Sequence, residues 1–348
     1  MIASLAATGP PMADLGPLSA TVPDLLRLLA VPVLGWAAWR DVQTRRVADV
    51  TWLPLFALGL ALFAWEGWIA HTTGEFAWAL FSTRAVVSLG VVIPLAYLFW
   101  RIGGFGGADA KALFALALFL PGQPTYFLGD LAFPLEPTPL GVLSLTVLSN
   151  AVVLGACYPV ALFGRNLLSG RFSPNAPFGT PIRWDGIEET HGRLLTGDGL
   201  TGGADLDTIR MYLVWRGISL AELREDPEAF RETIPVDPNP PGDGTVGSVH
   251  PSRSDGGRGS MDTDALRPAI PEDGPGDPWG AATFLADVAH TYGTTPDALR
   301  EGLAALAEDE EVWVSPGIPF IVPIFAGLVV GLGYGDVLFR VLVAVGLG

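Results

Sequence analysis

Apolar runs separated by short charged breaks fill both ends of this 348-residue chain, and the middle has a different texture. The runs cover residues 25–39, 50–70, 85–100, 140–163 and 318–345. Each is long enough, alone or with its flanks, to cross a hydrocarbon core of ~30 Å, which takes roughly 20 helical residues. A sixth run, 110–120, stops at Pro121-Gly122 and is too short to cross by itself. It crosses only if Asp109 lies at the membrane's edge, or if residues 125–135 continue the path after a proline kink. The pattern predicts an all-α integral membrane protein, a bundle of about six transmembrane helices.

Most of the charge sits in one place. Residues 164–314 hold 26 of the 36 acidic and 12 of the 20 basic side chains, and hence −14 of the net charge of −16. Segregation reconciles that acidity with a positive mean hydropathy of +0.41, a combination ordinary globular domains do not show. Within the insert, 206–230 has helical spacing ended by Asp226-Pro227, and 281–306 is helical again with Thr295-Pro296 as cap and first-turn proline. Residues 235–278, rich in Pro, Gly, Ser and Asp, are expected to be disordered. The ordered pieces are expected to lie along the bundle instead of forming an independent domain. The expected division is an external N-terminal segment (1–21), a membrane core (22–163), an acidic cytoplasmic insert (164–314) and a final span (315–348).

Lys and Arg in short loops favour the cytoplasmic side. Arg40, Arg45 and Arg46 follow the run 25–39, Arg101 the run 85–100, and Arg165 and Arg171 the run 140–163; the opposite side has only Arg27 and Arg84. The N-terminus is therefore expected outside and the insert inside, in a multi-pass protein of the cell membrane. No basic start with a small-residue cleavage site precedes residue 22, so the first helix is expected to be retained. With 19 Arg, one Lys and an excess of acid, the surface reads as that of a halophilic, haloarchaeal protein. At molar salt the Debye length falls to ~3 Å, so an acidic surface there is weak support for a cationic partner.

Several chemistries drop out. The single Cys157 allows no intramolecular disulfide and no four-cysteine zinc site, and His71, His191, His250 and His290 lack metal-ligand spacing. The glycines at 103, 104, 106 and 107 do not form a phosphate-cradling Walker loop. No metal, cofactor or nucleic-acid partner is expected. Two aspartates at the ends of apolar runs remain. Asp41, in Trp39-Arg40-Asp41, closes the first helix against its dipole, at a cost of ~0.3–1 kcal/mol. Asp109, in Gly106-Gly107-Ala108-Asp109-Ala110-Lys111, opens the short helix.

Each has a plain alternative. Asp41 alone reads as a solvated end residue and Asp109 alone as an N-cap. The Gly103-Gly104-Phe105-Gly106-Gly107 run argues for more, because it lets backbone approach another helix or an extended peptide. Lys111 reads as a partner of the carboxylates or as a headgroup anchor, and Asp49 as a helix-start cap or a substitute for Asp41. Asp336 and Arg340, four apart, are expected to pair on one helix face, and Glu66 to be structural. Gly202-Gly203-Ala204-Asp205 repeats the letters of the second motif without an apolar helix or lysine behind it, and reads as coincidence.

The segment Gly106-Gly107-Ala108-Asp109 with Lys111 resembles the GxGD-type signature of type IV prepilin peptidases, particularly the archaeal prepilin and preflagellin peptidases, with Ala108 in place of the second glycine. Asp41 with Arg46, Val47, Asp49 and Trp52 is similar to that family's first aspartate motif. Val312-Trp313-Val314-Ser315-Pro316-Gly317-Ile318-Pro319-Phe320 resembles the segment entering its last span. The likeness covers 22–163 and 312–348 and leaves the insert outside.

The resemblance implies a membrane aspartic endopeptidase that removes the short basic leader of pilin-like or archaellin-like precursor proteins at the cytoplasmic face. Asp41 and Asp109 would be catalytic, Gly106, Gly107 and Lys111 supporting, with membrane lipid as the other partner. Two close carboxylates share one proton, so one activates water while the other donates to the scissile carbonyl. Helix dipoles favour ionised Asp109 and protonated Asp41, which makes Asp109 the resting base. The rival reading is an ion-coupled transporter or channel-like protein with membrane-edge carboxylates; it predicts broken helices in two symmetric halves, and only one interruption is visible. A GxGD protease cutting deeper within membrane helices would carry its first aspartate inside a span.

Overall fold

The computed structural model describes residues 10–44, 46–102, 105–136, 138, 140–196, 203–246, 276–316 and 319–346, and the backbone of 266–268. It divides into two compact units, Met1–Tyr158 with Ile318–Gly348, and Pro159–Gly317.

The first unit begins with an antiparallel hairpin, β1 (Met12–Leu15) and β2 (Leu18–Thr21), turned by Gly16 at φ +64°. Thr21 caps the next helix by accepting from the Asp24 amide, with Pro23 in the first turn. That helix, α1 (Val22–Arg27), leads through one turn into α2 (Ala30–Thr44), and together they form a candidate span over Val22–Thr44. A 3-10 turn (Asp49–Trp52) opens α3 (Leu53–Thr73). Gly74 separates α3 from α4 (Glu75–Val87), and a π-helical turn (Ser88–Val92) joins α4 to α5 (Ile93–Arg101).

Next comes α6 (Gly107–Phe119), whose thirteen residues rise only ~20 Å. It is the most enclosed helix of the unit, burying Ala110, Ala112, Leu113, Ala115, Leu116, Ala117 and Phe119 among α3, α5, the π-turn and the 3-10 turn. Small side chains permit that closeness: a Cβ on Gly59 of α3 would sit 3.3 Å from the Phe119 backbone. Residues 125–135 do not extend this crossing. They fold as β3 (Tyr126–Leu128) and β4 (Leu131–Phe133), a hairpin turned at Gly129-Asp130 that pairs with β2. Gly129 takes φ +60°, which a two-residue hairpin turn demands at its first position.

The last helix to begin in this unit before the insert is α7 (Leu143–Leu168). The second unit has its own apolar core. Its central sheet has the order β5 (Thr180–Arg183), β9 (Glu311–Ser315), β6 (Arg193–Leu194), all antiparallel. A second pair joins β7 (Thr233–Pro235) to β8 (Leu266–Pro268). The helices are α8 (Leu206–Arg216), α9 (Leu220–Glu225), α10 (Pro227–Glu232), α11 (Ala281–Asp287) and α12 (Pro296–Glu308). Tyr212, Trp215 and Phe284 meet in a ring cluster with centroids 5.4–6.0 Å apart. Arg210, fully buried, is held by the carbonyls of Gly244, Ile187 and Thr190 and by Asp207, which offsets the cost of burying its charge. An insert with this core is a compact unit in its own right, contrary to the expectation of short pieces laid along the bundle. Of the stretch 235–278, residues 247–265 and 269–275 lie outside the described residues.

The chain returns to the first unit with α13 (Ile321–Gly333) and α14 (Val337–Ala344), bent by 70° relative to each other. Gly327 of α13 lies so close to α7 that a Cβ there would be 2.7 Å from the Val147 carbonyl oxygen. Asp336 and Arg340 do not pair. Asp336 caps α14 and accepts from Ser149, while Arg340 reaches Glu136 at 3.3 Å, because a cap residue points back along its own helix start. Among the described residues four helices are long and apolar enough to cross a membrane, or five if α13 and α14 make one bent span. The expected count of six is not reached by length among the described residues, and α6 is one helix that falls short. The chain is a mostly helical, multi-pass membrane protein; three small sheets among the described residues correct the all-α expectation.

Candidate active site

Asp109 lies in the first turn of α6, three residues after the N-cap, Gly106. Its Oδ2 accepts the Gly106 backbone amide at 2.9 Å, so the carboxylate closes the helix start that a capping side chain would otherwise close. A Cβ on Gly106 would stand 3.0 Å from that oxygen, whereas one on Gly107 would only brush Trp100 at 3.8 Å. The glycine that matters is thus Gly106, and what it makes room for is the Asp109 carboxylate, not a neighbouring helix. Gly103 and Gly104 lie outside the described residues. Asp109 is 8% exposed, more enclosed than a solvated cap.

Asp41 sits on the last turn of α2, three residues before its end, and is 7% exposed. Burial rules out the plain reading of a solvated end residue. The next element in the chain is the 3-10 turn, whose first residue is Asp49. Lys111, two residues past Asp109, donates to Asp49 Oδ1 at 2.5 Å. That ion pair ties the start of α6, the helix of Asp109, to the segment that follows α2, the helix of Asp41. Helices α2 and α6 also share a neighbour, α13. Asp49 is not the helix-start cap expected of it, since Ala48 holds that position; its carboxylate is turned to Lys111 instead. Lys111 is accordingly an ion-pair partner of Asp49, with 43% of its side chain exposed.

Two residues that hold this end together were not singled out by chemistry. Phe105, inside the glycine run, is buried between Phe99 and Phe320, at centroid distances of 5.0 and 4.5 Å. It anchors the loop into Asp109 to the start of α13. Trp52 is 1% exposed in the turn that packs on α6. The signal for both was an aromatic residue in a polar or glycine-rich stretch beside an aspartate. Among the described residues no three His, Cys, Asp or Glu side chains are grouped to hold a metal ion.

The other end of α6 is polar in a different way. Arg27, 3% exposed, donates to the Phe119 carbonyl at 3.3 Å, to Asp24 at 2.8 Å, and to Glu66. Glu66 is therefore structural in the sense expected: it helps neutralise a buried guanidinium.

Comparison with known proteins adds to this geometry. A family model described as type IV leader peptidase family matches residues 28–160, and one described as archaeal peptidase A24 C-terminus type II matches 283–337. The second begins inside the insert, at α11, so the likeness reaches further into that region than residues 312–348. A preflagellin peptidase of Methanococcus voltae is 28% identical over 145 residues, which is 40% of this chain and 58% of that protein. The chain thus spans under two thirds of that relative's length. The two family models together match more than half of the chain, with both aspartates inside the first match. The chain belongs to the type IV leader peptidase family.

Proposed function

We propose that this protein is a membrane aspartic endopeptidase that removes the short basic leader of pilin-like or archaellin-like precursors. What supports the reading is that Asp41 and Asp109 are both buried and both lie within the segment matched by the leader peptidase model, with Lys111 beside Asp109 paired to Asp49 in the turn after α2. An isolated carboxylate in an apolar bundle is costly, and a pair that shares one proton lowers that cost while creating an acid and a base side by side.

In this reading Asp109 is the base. The amide of Gly106 and the positive end of α6 favour its ionised form, and it takes a proton from a water that attacks the scissile carbonyl. Asp41, at the negative end of α2, carries the shared proton and gives it to the carbonyl oxygen as the tetrahedral intermediate forms. On collapse Asp109 passes its proton to the leaving amine and Asp41 takes one back from the intermediate's hydroxyl, which restores the resting pair. This chemistry balances with water alone and calls on no metal or organic cofactor. The dyad faces the cytoplasm and the N-terminus lies outside, which the arginine distribution supports.

The test is coexpression of a pilin-like precursor with the wild type, Asp41→Asn or Asp109→Asn at matched protein level. Loss of the leader shifts the precursor's mobility. Both variants should leave the precursor uncut; normal processing by either one would remove that residue from the mechanism.

A further inference from the structure

At the end of α6 away from the aspartates, a cavity of about 500 Å³ opens beside the α3–α4 hairpin. Its walls are apolar, with Ile69, Leu80, Phe81 and Pro121 among them, yet it is also lined by Arg27, Glu66, Arg84 and Gln123. Arg27 donates from each of its three nitrogens, to Phe119, Asp24 and Glu66, and so engages both carboxylates. The four charges cancel, so no net attraction draws an anion from afar. What the cavity offers is directed donors.

Two of the residues that line it carry unused donors. Arg84 Nε and Gln123 Nε2 are both buried and have no hydrogen-bond partner among the described residues. Gln123 has committed its other end, Oε1, to the Thr138 hydroxyl at 3.3 Å, so its amide nitrogen is left as the donor. A glycine leaves room for the Arg84 guanidinium. A Cβ at Gly141 would lie 2.7 Å from Arg84 Nη2, and Gly141 adopts φ +60°, a conformation that other residues rarely take. Buried donors in native proteins are nearly always paired. Two of them at one apolar-walled cavity, one on α4 and the other in the loop after α6, call for a ligand with oxygen acceptors at one end and hydrocarbon at the other.

We infer that this cavity binds an anionic amphiphile, its phosphate or carboxylate oxygens accepting from Arg84 and Gln123 and its apolar part lying against Ile69, Leu80 and Phe81. The site is separate from the aspartates and does not depend on the peptidase reading. The volume falls in the range of ordinary small-ligand cavities.

The test uses the full chain in a neutral maltoside detergent. Phosphatidylglycerol, inorganic phosphate alone, and diacylglycerol, which has tails without an oxyanion, are titrated separately. Thermal unfolding and native mass spectrometry read binding. Phosphatidylglycerol should be retained and raise the melting temperature, and diacylglycerol should do neither. Arg84→Gln should weaken retention roughly ten- to a hundredfold, as expected for loss of a charge-assisted hydrogen bond. Gln123→Leu should weaken it in the same direction and serves if Arg84→Gln fails to fold. Stabilisation by inorganic phosphate alone, lost in Arg84→Gln, would support the site and assign it to a soluble oxyanion. Failure of both phosphate and phosphatidylglycerol to bind the wild type, or equal binding to wild type and both variants, would overturn the inference.

Discussion

The chain contains the letters Gly-Gly-Ala-Asp twice, at 106–109 and at 202–205, and the two copies do opposite things. In the first, the helix begins two residues before the aspartate. Gly106 is the N-cap and Asp109 reaches back to it from within the first turn, enclosed at the end of the bundle. In the second, the helix begins one residue after the aspartate. Asp205 is itself the N-cap, and its side chain accepts the Asp207 amide at 2.9 Å. A helix follows this copy as well, as the spacing over 206–230 predicts. The glycines differ as well. Gly203 is pressed against backbone, with a Cβ there falling 1.6 Å from the Leu194 carbonyl oxygen, whereas Gly106 has only a carboxylate near it. Four identical letters take different local structures according to their register against the helix start.

The widest gap between the copies should appear in activity. Asp109→Asn should reduce precursor processing by about 10²–10⁴-fold or more, the range for loss of an acid–base group, and Asp205→Asn should leave it within about twofold, since a helix cap keeps its acceptor when Asp becomes Asn. A processing time course at equal expression separates the two. Equal effects would mean that the second copy, too, serves the chemistry.

Next in size is the contrast between the glycines. Gly203→Ala puts an atom into the Leu194 carbonyl and should destabilise the insert by about 3 kcal/mol, the upper part of the overpacking range. Gly106 has φ −69°, which alanine adopts freely, so Gly106→Ala should melt close to wild type. Its methyl would nevertheless push the Asp109 carboxylate by tenths of an ångström and slow processing roughly tenfold. Thermal melts and processing rates on both variants check this. A Gly106→Ala protein with undiminished activity would show that the carboxylate's place is fixed by something other than its amide contact with residue 106.

The second copy also makes a prediction in pH. Burial pushes the Asp205 carboxyl up to about 6 from an ordinary 3.8, against the pull of the Asp207 amide. Between those values the folded chain holds a proton that the unfolded chain has released. Folding is therefore favoured at the acid end of the window, and Asp205's contribution worsens as pH rises through about 6. Asp205→Asn keeps the cap without the charge. It should be more stable than wild type by about 1–2 kcal/mol near neutral pH, a figure reduced for partial exposure, with the advantage fading toward about pH 4. Melting both proteins across that interval tests the sign, and a difference that does not change with pH would contradict it.

How much of this was written in the letters depends on the kind of feature. Hydrophobic run length located the spans, because burying backbone in lipid leaves only helices of sufficient length. It misjudged 125–135, where the two-residue Gly129-Asp130 turn outweighed the apolar content and made a hairpin. The aspartates were legible as acids at the ends of apolar runs, but the job of Gly106 was not: space for a carboxylate is a distance between atoms, and composition does not encode it. The core of the insert was hidden for another reason. Its apolar residues are spread across short helices and three strands separated by acidic loops, and buried arginines such as Arg210 and Arg216 look like surface charges until their carbonyl partners come together in space.

The smallest effect tests the residue two places beyond each aspartate. After Asp205 that residue is Asp207, paired with a fully buried Arg210; after Asp109 it is Lys111, paired with an exposed Asp49. Exposed ion pairs are worth about 0–1 kcal/mol because water and lost side-chain freedom offset the attraction. Lys111→Met and Asp49→Asn should each lower stability by under about 0.5 kcal/mol, and the double variant should be no worse than the sum. A processing rate that falls much further than stability in Lys111→Met but not in Asp49→Asn would assign the lysine charge to the reaction. Parallel small losses in both would leave it a tie between α6 and the turn after α2, which is what its geometry describes.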